Sequence, residues 1–192
     1  AGTLFFRVRS FAPLPLVAMV GSLSWRSHVS PGWGGAEVDR GLNIVGLGLC
    51  LLGGLLRFCT VGFIPPGSSS QSRFFQARAL NTEGPYALVR HPLYLGNLSI
   101  TLGLLSIAHE PWAWTLGLGY FVVSCALIIR AEEALLRRTF SAQYDEWAAR
   151  VPALLPKRWG LPELKRPFGW KRGLLRELNP LVSCGSGATV LL

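Results

Sequence analysis

Arg90, His91, Tyr86 and Tyr94 are crowded into one stretch, Gly84-Pro-Tyr-Ala-Leu-Val-Arg-His-Pro-Leu-Tyr-Leu-Gly96, at the start of an apolar segment. Pro92 fits the first turn of a helix, where its missing N–H costs nothing, so a helix is predicted to begin there with His91 near its cap. The first amides and the dipole of that helix point at the preceding loop, which suits an anionic group of a ligand. The competing reading is an interfacial anchor, because Arg, His and Tyr also settle at headgroup level.

A second polar group, Arg130-Ala-Glu132-Glu133, follows an apolar run directly. Two adjacent carboxylates call for cations, and at the centre of a bilayer each would cost ~2.5 to 3.5 kcal/mol. Neighbouring helix positions point about 100° apart, so at most one of the pair is expected to face a ligand fully. The alternative is a solvated face paired with Arg137 and Arg138. Gly46, Gly48, Gly53 and Gly54 are read as sites of close helix packing. His28, His109, Trp112 and Trp114 are taken as interfacial residues without chemistry. No metal-ligand spacing, nucleophile elbow, phosphate loop or dinucleotide fingerprint is present, so no metal is expected.

The elements that must position these groups are membrane spans. Half of the 192 residues are hydrophobic and 15% are charged, with a mean hydropathy of +0.37, which is a membrane protein's profile. Four apolar runs can be drawn, Phe11 to Trp25, Gly41 to Phe58, Leu93 to Ala108 and Trp112 to Ile129, and a fifth is expected to start near Leu181. Each run is near or just under the ~20 residues that cross a bilayer. The last two are joined by His109-Glu110-Pro111 alone, enough for a tight helical hairpin, which would bring its two open ends and both polar groups together.

The net charge of +9 would suggest nucleic acid in a soluble chain. Here the basic residues flank apolar runs, so membrane lipids and topology account for them and no nucleic-acid partner is expected. Four Lys and Arg lie between Arg57 and His91, none in the hairpin link and eleven from Arg130 onward. That bias places the Gly84 to His91 loop and the tail on the cytoplasmic side. Four scattered cysteines make no disulfide framework. No cleavable signal peptide is expected, and a first residue Ala with a last apolar run cut short leaves both ends open to truncation.

Taken in order, Thr82-Glu-Gly-Pro-Tyr86, Arg90-His-Pro-Leu-Tyr94-Leu-Gly96, Glu132-Glu133 and Phe140-x-x-x-Tyr144-x-x-Trp147-x-x-x-Val151-Pro152 with Pro156 resemble the isoprenylcysteine carboxyl methyltransferase family and the related phospholipid N-methyltransferases. The resemblance covers about residues 78 to 156. It implies an integral membrane enzyme that binds S-adenosyl-L-methionine on the cytosolic side and admits a lipophilic substrate from the bilayer. Carried over by position, it implies that Tyr86, His91, Pro92, Leu93, Tyr94, Glu132 and Glu133 bind the cofactor and that Arg90 and Arg130 serve the substrate; the loop Arg78 to Asn81 aligns with a further cofactor-lining stretch. Where the eukaryotic carboxyl methyltransferases place a substrate-related Arg, this chain has Ile128, which leaves carboxylate, amine, thiol and hydroxyl acceptors open. No catalytic base is named.

The expected fold is an all-α integral membrane bundle of four spans plus the start of a fifth, with a cytoplasmic helical tail. Residues 1–60 would form N-terminal spans, 61–156 a methyltransferase-like core and 157–192 a basic juxtamembrane segment. The expected function is a membrane methyltransferase, in a bacterial inner membrane with its site toward the cytoplasm. A steroid or sterol reductase type of enzyme using NADPH, and a non-catalytic membrane protein, are the alternatives.

Overall fold

The computed structural model describes residues 35–64, 80–157, 168–171 and 173–174. Among them are three long α-helices: α1 Gly35–Gly62, α2 Pro92–Ala108 and α3 Pro111–Arg150, with a 3-10 turn at Gly84–Ala87 before α2. The all-α class stands, but the expectation of four spans plus the start of a fifth is overturned. Two of the helices, α1 and α3, are long and apolar enough to cross a membrane. α2 has 17 residues, roughly 26 Å of rise against a hydrocarbon core of about 30 Å. α3 carries the expected fourth span on into the charged sequence up to Arg150, with a break in its helical backbone at Ser141. The runs Phe11 to Trp25 and from Leu181 lie outside the described residues.

α1 starts earlier than its apolar run, at Gly35, and its first turns carry an exposed Glu37–Arg40 pair at 3.2 Å. Glycine decides how α1 meets α2. A Cβ on Gly53 would lie 2.5 Å from the Gly96 carbonyl, and one on Gly103 would lie 2.5 Å from that of Gly46. The two antiparallel helices therefore touch backbone to backbone at two levels seven residues apart. Ser99 Oγ donates to the Leu49 carbonyl at 2.7 Å, and Arg57 donates to Asn97 across the same interface. Gly48 and Gly54 face open space.

The link between α2 and α3 turns sharply. His109 takes the left-handed conformation at φ 56°, ending α2, and Pro111 opens α3 at a position where no amide is needed. Leu105, Ala108 and Ala113 form a small buried core at this corner. Elsewhere Ile44, Leu47, Leu51 and Leu55 on α1 and Leu116, Val122 and Val123 on α3 are exposed, an apolar surface far larger than water tolerates and suited to lipid. Beyond α3, Phe168 packs on Phe58 and Phe63, and the Gly169 amide donates to the Gly62 carbonyl at 3.0 Å, capping the end of α1.

Candidate functional site

Four short pieces of chain meet at the open end of the hairpin. The first is the loop before α2. Gly84 adopts φ +59°, and a Cβ there would press on the Phe63 ring at 2.8 Å, so the sequence needs glycine at this turn. Pro85 then opens the 3-10 turn that carries Tyr86. The second is the start of α2, where Pro92 occupies the first turn and His91 is the N-cap residue, as the sequence predicts, although the His91 side chain makes no capping bond. It is turned toward α3 instead.

The third piece is α3 at Glu132 and Glu133. Glu133 Oε1 lies 3.0 Å from Arg90 Nη1 and 3.1 Å from His91 Nε2, while Glu132 Oε2 approaches His91 Nδ1 at 3.8 Å. His91 is 6% exposed, so this is an ionic cluster largely withdrawn from water, where each contact counts for more than at a surface. The solvated-face alternative fails here: Arg137 pairs with Asp145 at 2.7 Å, not with the glutamates.

The fourth piece comes from a break in α3. Ser141 has φ 46° and ψ −121°, conformations no helix interior allows. The chain folds back there. Arg137 and Asp145 meet at 2.7 Å although eight residues of straight helix would separate them by about 12 Å. The fold-back carries Tyr144 to Arg90, whose Nη1 donates to the phenol oxygen at 3.2 Å, and packs Tyr144, Trp147 and Val151 into a cluster with Leu80, Tyr86, Leu136 and Phe140. Two backbone bonds then staple the motif loop to the chain leaving α3, Arg90 N to Pro152 O at 2.8 Å and His91 N to Ala153 O at 3.0 Å. Burial, with the Glu133 charge adding to it, raises the Tyr144 phenol above its ordinary pKa, so it stays neutral at physiological pH.

Tyr94 lies one turn into α2 with its ring 5.8 Å from that of His91, and Tyr86 packs against the Tyr144 cluster. Leu93 is half-buried beside them. Arg130 is exposed and takes no part in the ion pairs of the cluster among the described residues. Tyr144, Trp147 and the Pro152 and Ala153 carbonyls build the site without having been given a role from sequence. The spacing Phe140, Tyr144, Trp147, Val151 is that of one helix face, which was the available signal. Among the described residues no group of three His, Cys, Asp or Glu could hold a metal ion.

A scan against family models matches residues 42–143, just over half of the chain, to the phospholipid methyltransferase family. Among curated proteins, the nickel-cobalt-cadmium resistance protein NccN of Alcaligenes xylosoxydans xylosoxydans is 35% identical over 78 residues, 41% of this chain and 36% of that relative. The cobalt-zinc-cadmium resistance protein CzcN of Cupriavidus metallidurans is 40% identical over 79 residues, again 41% of this chain and 36% of the relative. The match thus spans little more than a third of the length of either relative. No solved structure matches the chain.

Proposed function

The chain belongs to the phospholipid methyltransferase family, and from that premise we propose that it is an integral membrane methyltransferase taking its methyl group from S-adenosyl-L-methionine and acting on a lipophilic acceptor from the bilayer. The observation that carries this reading is the meeting of Arg90 and His91 with Glu132 and Glu133 at the open end of the hairpin. A ligand with an ammonium and a sulfonium is positive at two points. Part-buried carboxylates and the rings of Tyr86 and Tyr94 favour such a ligand. A nicotinamide dinucleotide brings a pyrophosphate instead, which would have to settle beside Glu132 and Glu133, where Arg90 Nη1 already faces Glu133, so the geometry favours the methyl donor over NADPH.

The bound cofactor would supply an electrophilic methyl carbon and a neutral thioether leaving group. The chain's part is to orient both reactants and keep water out. Glu133, gripped by Arg90 and His91, fixes the wall of the site; Glu132 faces the cofactor's ammonium; Pro92, Leu93 and Tyr94 line the first turn of α2. In this reading Arg90 acts through Glu133 and Tyr144. Arg130, exposed where the apolar half of α3 ends, meets anionic headgroups of the lipid in which the acceptor resides. The basic residues beside the site favour an orientation toward the cytoplasm, which in a bacterium is the inner face of the inner membrane, and the core proposed to carry the chemistry is residues 61–156.

The test is calorimetric titration of the detergent-purified protein with S-adenosyl-L-methionine, followed by transfer of a labelled methyl group to a membrane lipid extract. Binding with transfer into the organic phase is expected. A protein that binds no cofactor would overturn the reading.

A further inference from the structure

Trp147 is 7% exposed, and its indole Nε1 is buried with no hydrogen-bond partner among the described residues. A buried indole N–H ordinarily finds an acceptor, since the unfolded chain gives it one in water. Phe at this position would fill the same apolar cluster without stranding a donor. Arg90 Nε nearby is a second buried donor without a partner among the described residues. Two buried donors, linked through Tyr144, are thus left for an acceptor-bearing ligand to satisfy.

The position of Trp147 relative to the carboxylates narrows the ligand group. Its ring meets Tyr144 edge-on at 5.8 Å, the Tyr144 hydroxyl accepts from Arg90 at 3.2 Å, and Arg90 reaches Glu133 at 3.0 Å. The indole therefore lies two side chains away from the acidic cluster. The apolar side chains packed around it are Tyr86, Tyr144, Phe140, Leu80 and Val151, aromatic or aliphatic. An anionic group would be drawn past the indole to the Arg90 guanidinium, which leaves the indole N–H for a neutral acceptor. A flat, uncharged heterocycle with ring-nitrogen acceptors suits both the rings and the lone donor.

Resting on the methyltransferase reading above, we propose that Trp147 is a positioning residue that donates its indole N–H to a ring nitrogen of the cofactor's adenine. The fold-back after Ser141 then reads the nucleoside, while Glu132, on the wall that Glu133 fixes, reads the amino-acid end. The two ends of one cofactor are held by two different pieces of chain, and the break in α3 sets the distance between them.

The experiment compares wild type and Trp147→Phe in detergent, titrated with S-adenosylhomocysteine and with methylthioadenosine, which keeps the nucleoside and lacks the amino-acid end. Loss of one neutral hydrogen bond should weaken both ligands about three- to tenfold in the variant. The ligand-free melting temperature should stay unchanged or rise, because the deleted donor has no partner to lose; a merely structural tryptophan would show the reverse pattern. Equal affinities in the two proteins overturn the assignment, as does a loss seen with S-adenosylhomocysteine alone or a wild type that binds it but not methylthioadenosine. A wild type that binds neither ligand overturns the methyltransferase reading itself. Should the variant not fold, the Trp147 indole N–H resonance of the wild type, followed in micelles by NMR, must move downfield on adding methylthioadenosine; a resonance that does not move overturns the proposal.

Discussion

The hairpin of α2 and α3 carries a buried histidine at each end, and the two differ in what their neighbours leave undone. At the closed end His109 has Nδ1 2.8 Å from Asp39 and Nε2 2.9 Å from Asn43. Both partners lie on α1. The ring joins the tight link to the first helix, and no unpartnered buried side-chain polar atom occurs at that end among the described residues. At the open end His91 is held by Glu133 at 3.1 Å, but among the described residues Arg90 Nε and, across the Tyr144 ring, Trp147 Nε1 are buried without a partner. A cluster whose donors and acceptors balance within the chain is architecture, and the unbalanced one is where the proposed cofactor would bind.

The sharpest way to break that comparison is to remove the carboxylates. Glu133→Gln loses its contacts with both Arg90 and His91 and should weaken S-adenosyl-L-methionine binding roughly ten- to a hundredfold, with a lower ligand-free melt as well. Glu132→Gln should lower affinity with a smaller loss in the melt than Glu133→Gln, since its contact with His91 is 3.8 Å against 3.1 Å for Glu133. Equal stability losses in the two variants would mean that Glu133 is not the structural member of the pair.

The closed end supplies the control. His109→Ala leaves Asp39, 19% exposed, without the imidazole, which should cost about 1–3 kcal/mol of stability and leave cofactor affinity unchanged. His91→Ala should do the opposite in emphasis, impairing affinity more than the melt. If His109→Ala weakened cofactor binding as much as His91→Ala, the division between a structural and a ligand-binding end would collapse.

Much of the open end was legible in sequence. Pro92 marks a helix start by a strictly local rule, and a three-residue link leaves a hairpin no freedom but to juxtapose Arg90 and His91 with Glu132 and Glu133. The division of labour was not legible. Adjacent glutamates look alike in sequence, and only the direction of α3 as it passes α2 gives Glu133 two cationic or imidazole partners. Ser141 carries no signal of its break, since serine favours no left-handed backbone; tertiary packing of Tyr144, Trp147 and Val151 imposes it. His109 was read as an interfacial residue because its partners, Asp39 and Asn43, are some 70 positions away, and nothing local announces so distant a pairing. The count of spans fails because an apolar run does not report the length of its helix: α2 ends after 17 residues, short of a crossing, and the runs Phe11 to Trp25 and from Leu181 lie outside the described residues.

The smallest effect tests how tightly the fold-back is coupled to the open end. Tyr144 is fully buried, and burial together with the Glu133 charge raises its phenol above the usual value. An unfolded tyrosine gives up its proton near pH 10. The folded one keeps it to higher pH, so the folded state binds more protons there and the stability this group contributes is complete below pH 10 and lost as pH rises through the folded value. Tyr144→Phe forfeits the bond from Arg90 and should cost about 0.5 to 1.5 kcal/mol at neutral pH. Because the phenylalanine has nothing to ionise, the gap between the two proteins should narrow as the medium is taken above pH 10, while other tyrosines cancel in the difference. Melts of both proteins from pH 7.5 to 11 measure it. A gap constant across that range would place Tyr144 in contact with water and loosen the fold-back from the carboxylate cluster, and with it the argument that a single cofactor is read by both.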